Sequence, residues 1–301
     1  MTVNNVAHSA TVSGQQASRV AAAAGDRLSH FVTSVQKGAN AAGKCSYHLV
    51  TLAGLSADER AAASWIIAKA IMRSRCGHVG SNYQLWETAA LSGQSLSGKD
   101  RDKIQAFTSA VFADPGAKHN DDHVQGHVAE WFWYLLTKER AEPTRTIEFL
   151  ETPKFSVTEP GGDGFVVWRQ AGSGLTFRLW ELKKHASSAA VSATVGTAYT
   201  QLGKHGRRYL AQLVGVHSSK PGDLGALCAL LVDLWVDGDD RAGLGVGVTS
   251  ATVPGPNRCF GSMGKRFPDF TAPGQLEGLL FTVEDFQDLA AEVRRFVCSA
   301  L

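Results

Sequence analysis

The sequence has no long apolar run. Nowhere in its 301 residues do about 18 consecutive apolar side chains occur, so no transmembrane helix is expected. The longest apolar stretch, residues 224–236, is interrupted by Asp233 and reads as a buried element. The first forty residues lack a charged segment leading into a compact apolar one, which argues against a secretory signal. Cysteine is sparse: Cys45, Cys76, Cys228, Cys259 and Cys298 are scattered, odd in number and never in a CxxC pair. That excludes a disulfide framework or a zinc knuckle and points to a reducing cytoplasm. Charge of one sign is also missing. With 30 Lys and Arg against 28 Asp and Glu, a net charge of +2 cannot coat a nucleic acid by bulk attraction, so any such affinity must come from a local patch. There is no P-loop and no nucleophile elbow, and Gly243, Gly245 and Gly247 lack the GxGxxG spacing of a dinucleotide site.

What is present is a globular composition, 44% hydrophobic and 19% charged, enough for one large domain or two modest ones. Val20, Ala24, Leu28, Phe31, Val32 and Val35 recur at helical spacing and predict a helix ending near Gly38. Ser56 and Glu59 form a capping box for a helix that ends at Gly77. A third helix starts near Ser97 and breaks at Asp114, Pro115 and Gly116. Residues 1–115 are thus expected to be mostly helical, a region suited to regulation or partner docking. A further helix is expected over 122–140.

Beyond Glu148 the pattern changes. Strands are expected over 149–157, 164–169 and 175–183, with turns at 160–162 and 171–174. An Ala-rich helix over 186–213, a helix or strand over 226–236, a strand over 245–250 and a loop rich in Gly and Pro follow. A last helix, capped by Thr282 and Asp285, runs through Phe286 and Phe296. Residues 116–301 therefore read as an α/β domain with a mixed sheet flanked by helices.

The segment that carries chemistry is Gly161, Gly162, Asp163 and Gly164, followed after a turn by Trp180, Glu181, Leu182 and Lys183. Strand alternation puts Glu181 and Lys183 on one face. A turn centred near Gly172 or Ser173 brings Asp163 opposite residues 181–183, whereas a one-residue slip sends it to the wrong face. Two carboxylates and an ammonium at one hairpin end are electrostatically poor unless a divalent cation lies between the acids, and Mg²⁺ or Mn²⁺ fits that role. Glu-x-Lys also occurs on solvated sheet edges, but here Leu179, Trp180 and Leu182 surround it.

This pattern resembles the PD-(D/E)xK nuclease superfamily, with Asp163 as the first acid, Glu181 and Lys183 as the second motif, and Glu130 placed like the family's helical glutamate. The family's proline is displaced to Pro160. The Gly161–Gly164 segment, residues 180–183 and the Ala-rich helix are similar to the nuclease component of the Hachiman anti-phage systems. The resemblance implies a restriction-endonuclease-like core, Mg²⁺-dependent phosphodiester hydrolysis with DNA favoured, and restraint by a helicase-like partner. Gln201 and Tyr199 stand where some members carry a substrate-orienting pair, although packing is the simpler role for Tyr199. Lys184, Lys204, Arg207 and Arg208, with His185, could line a phosphate-binding groove or form a solvated helix face.

Two other readings compete. His123, His127 and Glu130 follow i, i+4, i+7 spacing, with His119 nearby, and could hold zinc, although the HExxH signature is absent. Alternatively the fold is a non-catalytic scaffold for a partner, which the retention of all four charged candidates argues against.

Overall fold

A computed structural model of the protein describes residues 11–40, 43–77, 80–113, 118, 120–155, 162–172, 174–185, 190–251 and 256–301. Helix α1 (Gly14–Ala23) is capped by the Ser13 side chain. The predicted continuation through Val35 does not form. Gly25 and Asp26 turn the chain with positive φ of 68° and 54°, a short 3₁₀ turn follows at Leu28–His30, and Val35 falls instead in strand β1 (Thr33–Ala39), largely exposed. Strand β2 (Cys45–Thr51) comes next, so the first 115 residues contribute two strands as well as helices.

Helix α2 (Ala57–Cys76) starts at the expected capping box, with the Ser56 hydroxyl bound by the Glu59 backbone and the Glu59 carboxylate by that of Ser56, and it ends at Gly77. Helices α3 (Ser81–Ser92) and α4 (Gly98–Thr108) follow; the predicted break at Asp114–Gly116 lies outside the described residues. Helix α5 (Asp121–Glu139) is capped by Asn120, whose side chain accepts from the Asp122 and His123 amides. Strand β3 (Arg145–Leu150) begins earlier than the strand expected over 149–157, because Arg145 and Ile147 pair with Gln170 and Trp168; residues 156–161, with the turn expected there, are outside the described residues.

Strands β4 (Gly164–Gln170) and β5 (Gly174–His185) form the expected hairpin, with positive φ at Gly172 and Gly174. Helix α6 (Val191–His217), the short helices α7 (Gly222–Ala229) and α8 (Leu231–Val236), and strand β6 (Leu244–Ser250) complete the middle of the chain. The expected Gly/Pro loop holds two single-turn helices, α9 (Pro256–Cys259) and α10 (Met263–Arg266), and an unforeseen strand, β7 (Leu276–Thr282). Helix α11 (Phe286–Val297) closes the chain. Its expected side-chain caps are absent: Thr282 ends β7, and Asp285 precedes the helix at φ 53° with no capping hydrogen bond.

The fold is mixed α/β, as the patterning implied. One seven-stranded sheet, in the order β1-β2-β7-β6-β5-β4-β3, curls into a half-barrel. Its four central strands run parallel and the outer pairs antiparallel. Buried on both faces, β6 and β7 read as continuous apolar runs rather than alternating ones. One face packs on α1, α2, α3, α5 and α11 through Trp65, Trp131, Phe281 and Phe296; the other packs on α6–α8 through Phe177, Tyr199, Leu202 and Trp235. No helix among the described residues is long and apolar enough to cross a membrane.

Candidate active site

The β4–β5 register is the one the sequence argument required. Gly164 pairs with Trp180, which sets Asp163 beside Glu181 on one face of the hairpin end. Past that pair β4 stops, while β5 continues to His185 against β6. Residues 181–185 thus leave one edge without a β4 partner. Asp163 fills it: its amide donates to the Trp180 carbonyl at 3.2 Å, and its Oδ2 accepts the Leu182 amide at 2.7 Å.

The opened edge is also where α5 arrives. A Cβ on Gly164 would stand 2.4 Å from the Trp133 ring, so bare backbone at 164 is what lets α5 lie this close to the sheet. Glu130, one turn earlier on α5, then shares a cleft of about 420 Å³ with Asp163, Lys183, Leu182 and Asp122. The structure therefore brings together Glu130, Asp163, Glu181 and Lys183.

Their electrostatics are tense. Glu181 has no solvent exposure, and neither carboxylate oxygen makes a well-aligned hydrogen bond. Lys183 Nζ stands 2.6 Å from Oε1, an ion-pair distance whose angles fall short of a hydrogen bond. Burial, then the Asp163 charge, push the Glu181 carboxyl upward. Burial and Glu130 do the same to Asp163. Burial raises Glu130 to about 8 despite Lys154 and Lys183 nearby. For Lys183 burial works against the charge, but Glu181 and Asp163 outweigh it and hold the ammonium above its ordinary range. Three acids that disfavour one another's ionisation beside a held cation form a set whose mutual repulsion a divalent ion would relieve. Among the described residues no three His, Cys, Asp or Glu side chains stand ready-made as a ligand cage. An ion here would take one or two of these carboxylates and keep water for the rest of its shell, a coordination that Mg²⁺ accepts.

Lys184 lines the same cleft from the other side of β5, where it bonds Asp122 at 2.7 Å and Gln125 at 2.9 Å and ties β5 to the start of α5. The other expected residues lie elsewhere. Gln201 and Lys204 line a groove of about 730 Å³ along α6 with Thr197, His205, Tyr209 and Arg266. Arg207 and Arg208 are exposed on the same helix. Tyr209 joins the two regions, since it lines the groove and is near enough to Lys183 to act on its charge. Tyr199 is packed in the core.

His119 lies outside the described residues. His123 is exposed, whereas His127 is fully buried and its Nε2 accepts the Trp131 indole N–H at 3.0 Å, with Arg75 at 3.2 Å. Burial and Arg75 lower its pKa to about 3, and Nε2 is not free for zinc. The sequence reading missed Lys154, which acts on Glu130 from a loop; a lone loop lysine carries no spacing signal. No protein-family model matches the chain, no curated protein is similar to it in sequence, and no solved structure matches its fold.

Proposed function

We propose that the protein is a Mg²⁺- or Mn²⁺-dependent nuclease that hydrolyses phosphodiester bonds, with DNA the favoured substrate. The observation that carries this reading is the fully buried Glu181, its oxygens without aligned hydrogen bonds, set beside Asp163 and Lys183 at an open sheet edge that Glu130 also faces. One or two of Glu181, Asp163 and Glu130 would ligate the ion directly and the rest through its water, and the ion would supply charge neutralisation at the phosphate and a water of lowered pKa. Lys183 is in direct contact with this acid set, so it orients the attacking water and stabilises charge developing on the phosphate. The α6 groove, with Lys204 and Arg266 at its rim, gives the strand a path away from the cleft. The likeness to the Hachiman nuclease adds a helicase-like partner that restrains the enzyme in anti-phage defence.

The test is incubation of the purified chain, alone and with its genomic neighbour's product, with supercoiled plasmid, linear duplex, single-stranded DNA and RNA. Cleavage is expected in Mg²⁺ or Mn²⁺ and none in EDTA. Undiminished cutting in metal-free buffer would overturn the metal reading, and no cutting under any condition would favour the scaffold alternative.

A further inference from the structure

A second cavity, also about 420 Å³, opens on the α5 face of the sheet beyond the other end of that helix. Residues such as His48, Glu277, Arg178 and Trp168, from four different strands, reach it together with Trp133 of α5 and Arg140 just past its end. Its chemistry is one-sided in two respects. Lys37, Arg140, Arg145 and Arg178 meet only Glu142 and Glu277, so the lining carries two positive charges in excess. In addition the indole N–H groups of Trp133, Trp168 and Trp180, three of the lining residues, are buried with no hydrogen-bond partner among the described residues. Orphaned buried donors are costly, and a small turn of these rings toward the cavity would let an acceptor bound there serve them.

The cations are fixed in place. Arg145 is clamped between Glu142 and Glu277 and lies 4.2 Å from the Trp168 ring centre. Arg178, 2% exposed, binds the Gly274 carbonyl through Nε and the Phe177 and Arg241 carbonyls through Nη1. Burial, then Arg140 and Lys37, lower the His48 ring to about 4, so it adds no charge of its own near neutral pH. The floor is prepared as well: a Cβ on Gly245 would stand 2.3 Å from the Trp180 ring, so only glycine lets that ring lie flat on the sheet.

We propose that this cavity binds a nucleoside monophosphate, either free or as the terminal nucleotide of a strand. The base supplies a flat face for the tryptophans and acceptors for their N–H groups. The phosphate, with close to two negative charges at pH 7, matches the excess of two. Inorganic phosphate would leave the indoles unserved, and an uncharged aromatic would leave the cations so. The volume lies within the range of small-ligand sites. The cationic end of the cavity, at Arg140, is about 15 Å from Glu130 along the direction of α5, with Trp133 and Trp180 between the two sites, and the proposal does not rest on the nuclease reading.

The experiment titrates the full chain with dAMP and AMP in EDTA, by calorimetry and tryptophan fluorescence, beside adenosine, inorganic phosphate and a short oligonucleotide with and without a 5′-phosphate. The monophosphate should bind and quench fluorescence, with adenosine and phosphate at least tenfold weaker. Wild type and Glu181→Gln should bind alike, which separates this result from any failure of the nuclease reading. Lys37→Glu, a change on an exposed strand position, should weaken binding at least tenfold at unchanged melting temperature, and Trp168→Phe should weaken it too. Competition by the phosphorylated oligonucleotide assigns a strand end, and its absence assigns the free nucleotide. The proposal fails if millimolar monophosphate does not bind, if adenosine or phosphate binds equally well, or if both variants bind like wild type.

Discussion

At the scale of single residues, Glu181 is the side chain least explained by folding. A carboxylate with no solvent exposure, no aligned hydrogen bond and Asp163 beside it lowers stability, and proteins retain such groups where they serve a function. Glu181→Gln keeps the shape and removes the charge, so its melting temperature should equal or exceed the wild type while Mn²⁺ binding weakens and cleavage stops. Lys183→Ala acts differently. It removes a transition-state contact, costing on the order of 10² to 10³ in rate, or about 2.7 to 4 kcal/mol. It also removes a positive charge next to the ion, so Mn²⁺ affinity should hold or rise. Calorimetric titration with Mn²⁺ beside a plasmid-nicking assay reads both quantities, and a folded Lys183→Ala that cuts at the wild-type rate would remove the lysine from the mechanism.

Elements show which features local sequence could reveal. The capping box of α2, helix α5 and the β4–β5 register were legible, because each is written within a dozen or so residues: Ser56 with Glu59, apolar spacing from Val124 to Leu136, and a turn centred on Gly172. Asp163, Glu181 and Lys183 followed from that register, whereas Glu130 entered through the family resemblance. Strand β1 was misread because Val35 happens to continue a helical spacing, although it faces solvent. Strand β7 was missed because a strand buried on both faces has no alternation to detect. The tryptophan cavity was invisible since its lining comes from strands far apart in sequence. Glycines at 164 and 245 show the same limit: the strands they begin were expected, but nothing local says that an indole ring occupies the space of a Cβ at each. Gly245→Ala should therefore cost at least about 1–3 kcal/mol, the usual range for overpacking a filled core. Urea unfolding measures it, and a loss below half a kcal/mol would mean Trp180 can move aside.

For the molecule as a whole, the sheet decides what can be cut away. A chain of residues 116–301 would keep every candidate catalytic residue, yet it would lose β2, which pairs with β7 along all seven residues, and so would expose the β7 edge to other chains. It would also strip the apolar cover from α11. Trp65 packs edge-on against Phe296 with ring centres 5.4 Å apart, the Trp86 indole donates to the Val297 carbonyl at 3.0 Å, and the Leu96 amide donates to Ala300 at 2.8 Å. Burying one large aromatic side chain is worth about 1.5–3 kcal/mol, and both Trp65 and Trp86 are fully buried, so their loss alone, about 3–6 kcal/mol, reaches the lower end of the stability of a typical domain. The first 115 residues thus act as structural support for the acid cluster as much as any regulatory surface. Expressed alone, residues 116–301 should aggregate or lack a cooperative thermal transition by circular dichroism, and they should not cleave DNA. Adding residues 1–115 as a separate chain should restore soluble, folded protein if the missing contacts are the cause. A soluble fragment that melts cooperatively by itself would show that β7 and α11 need no cover from the N-terminal elements.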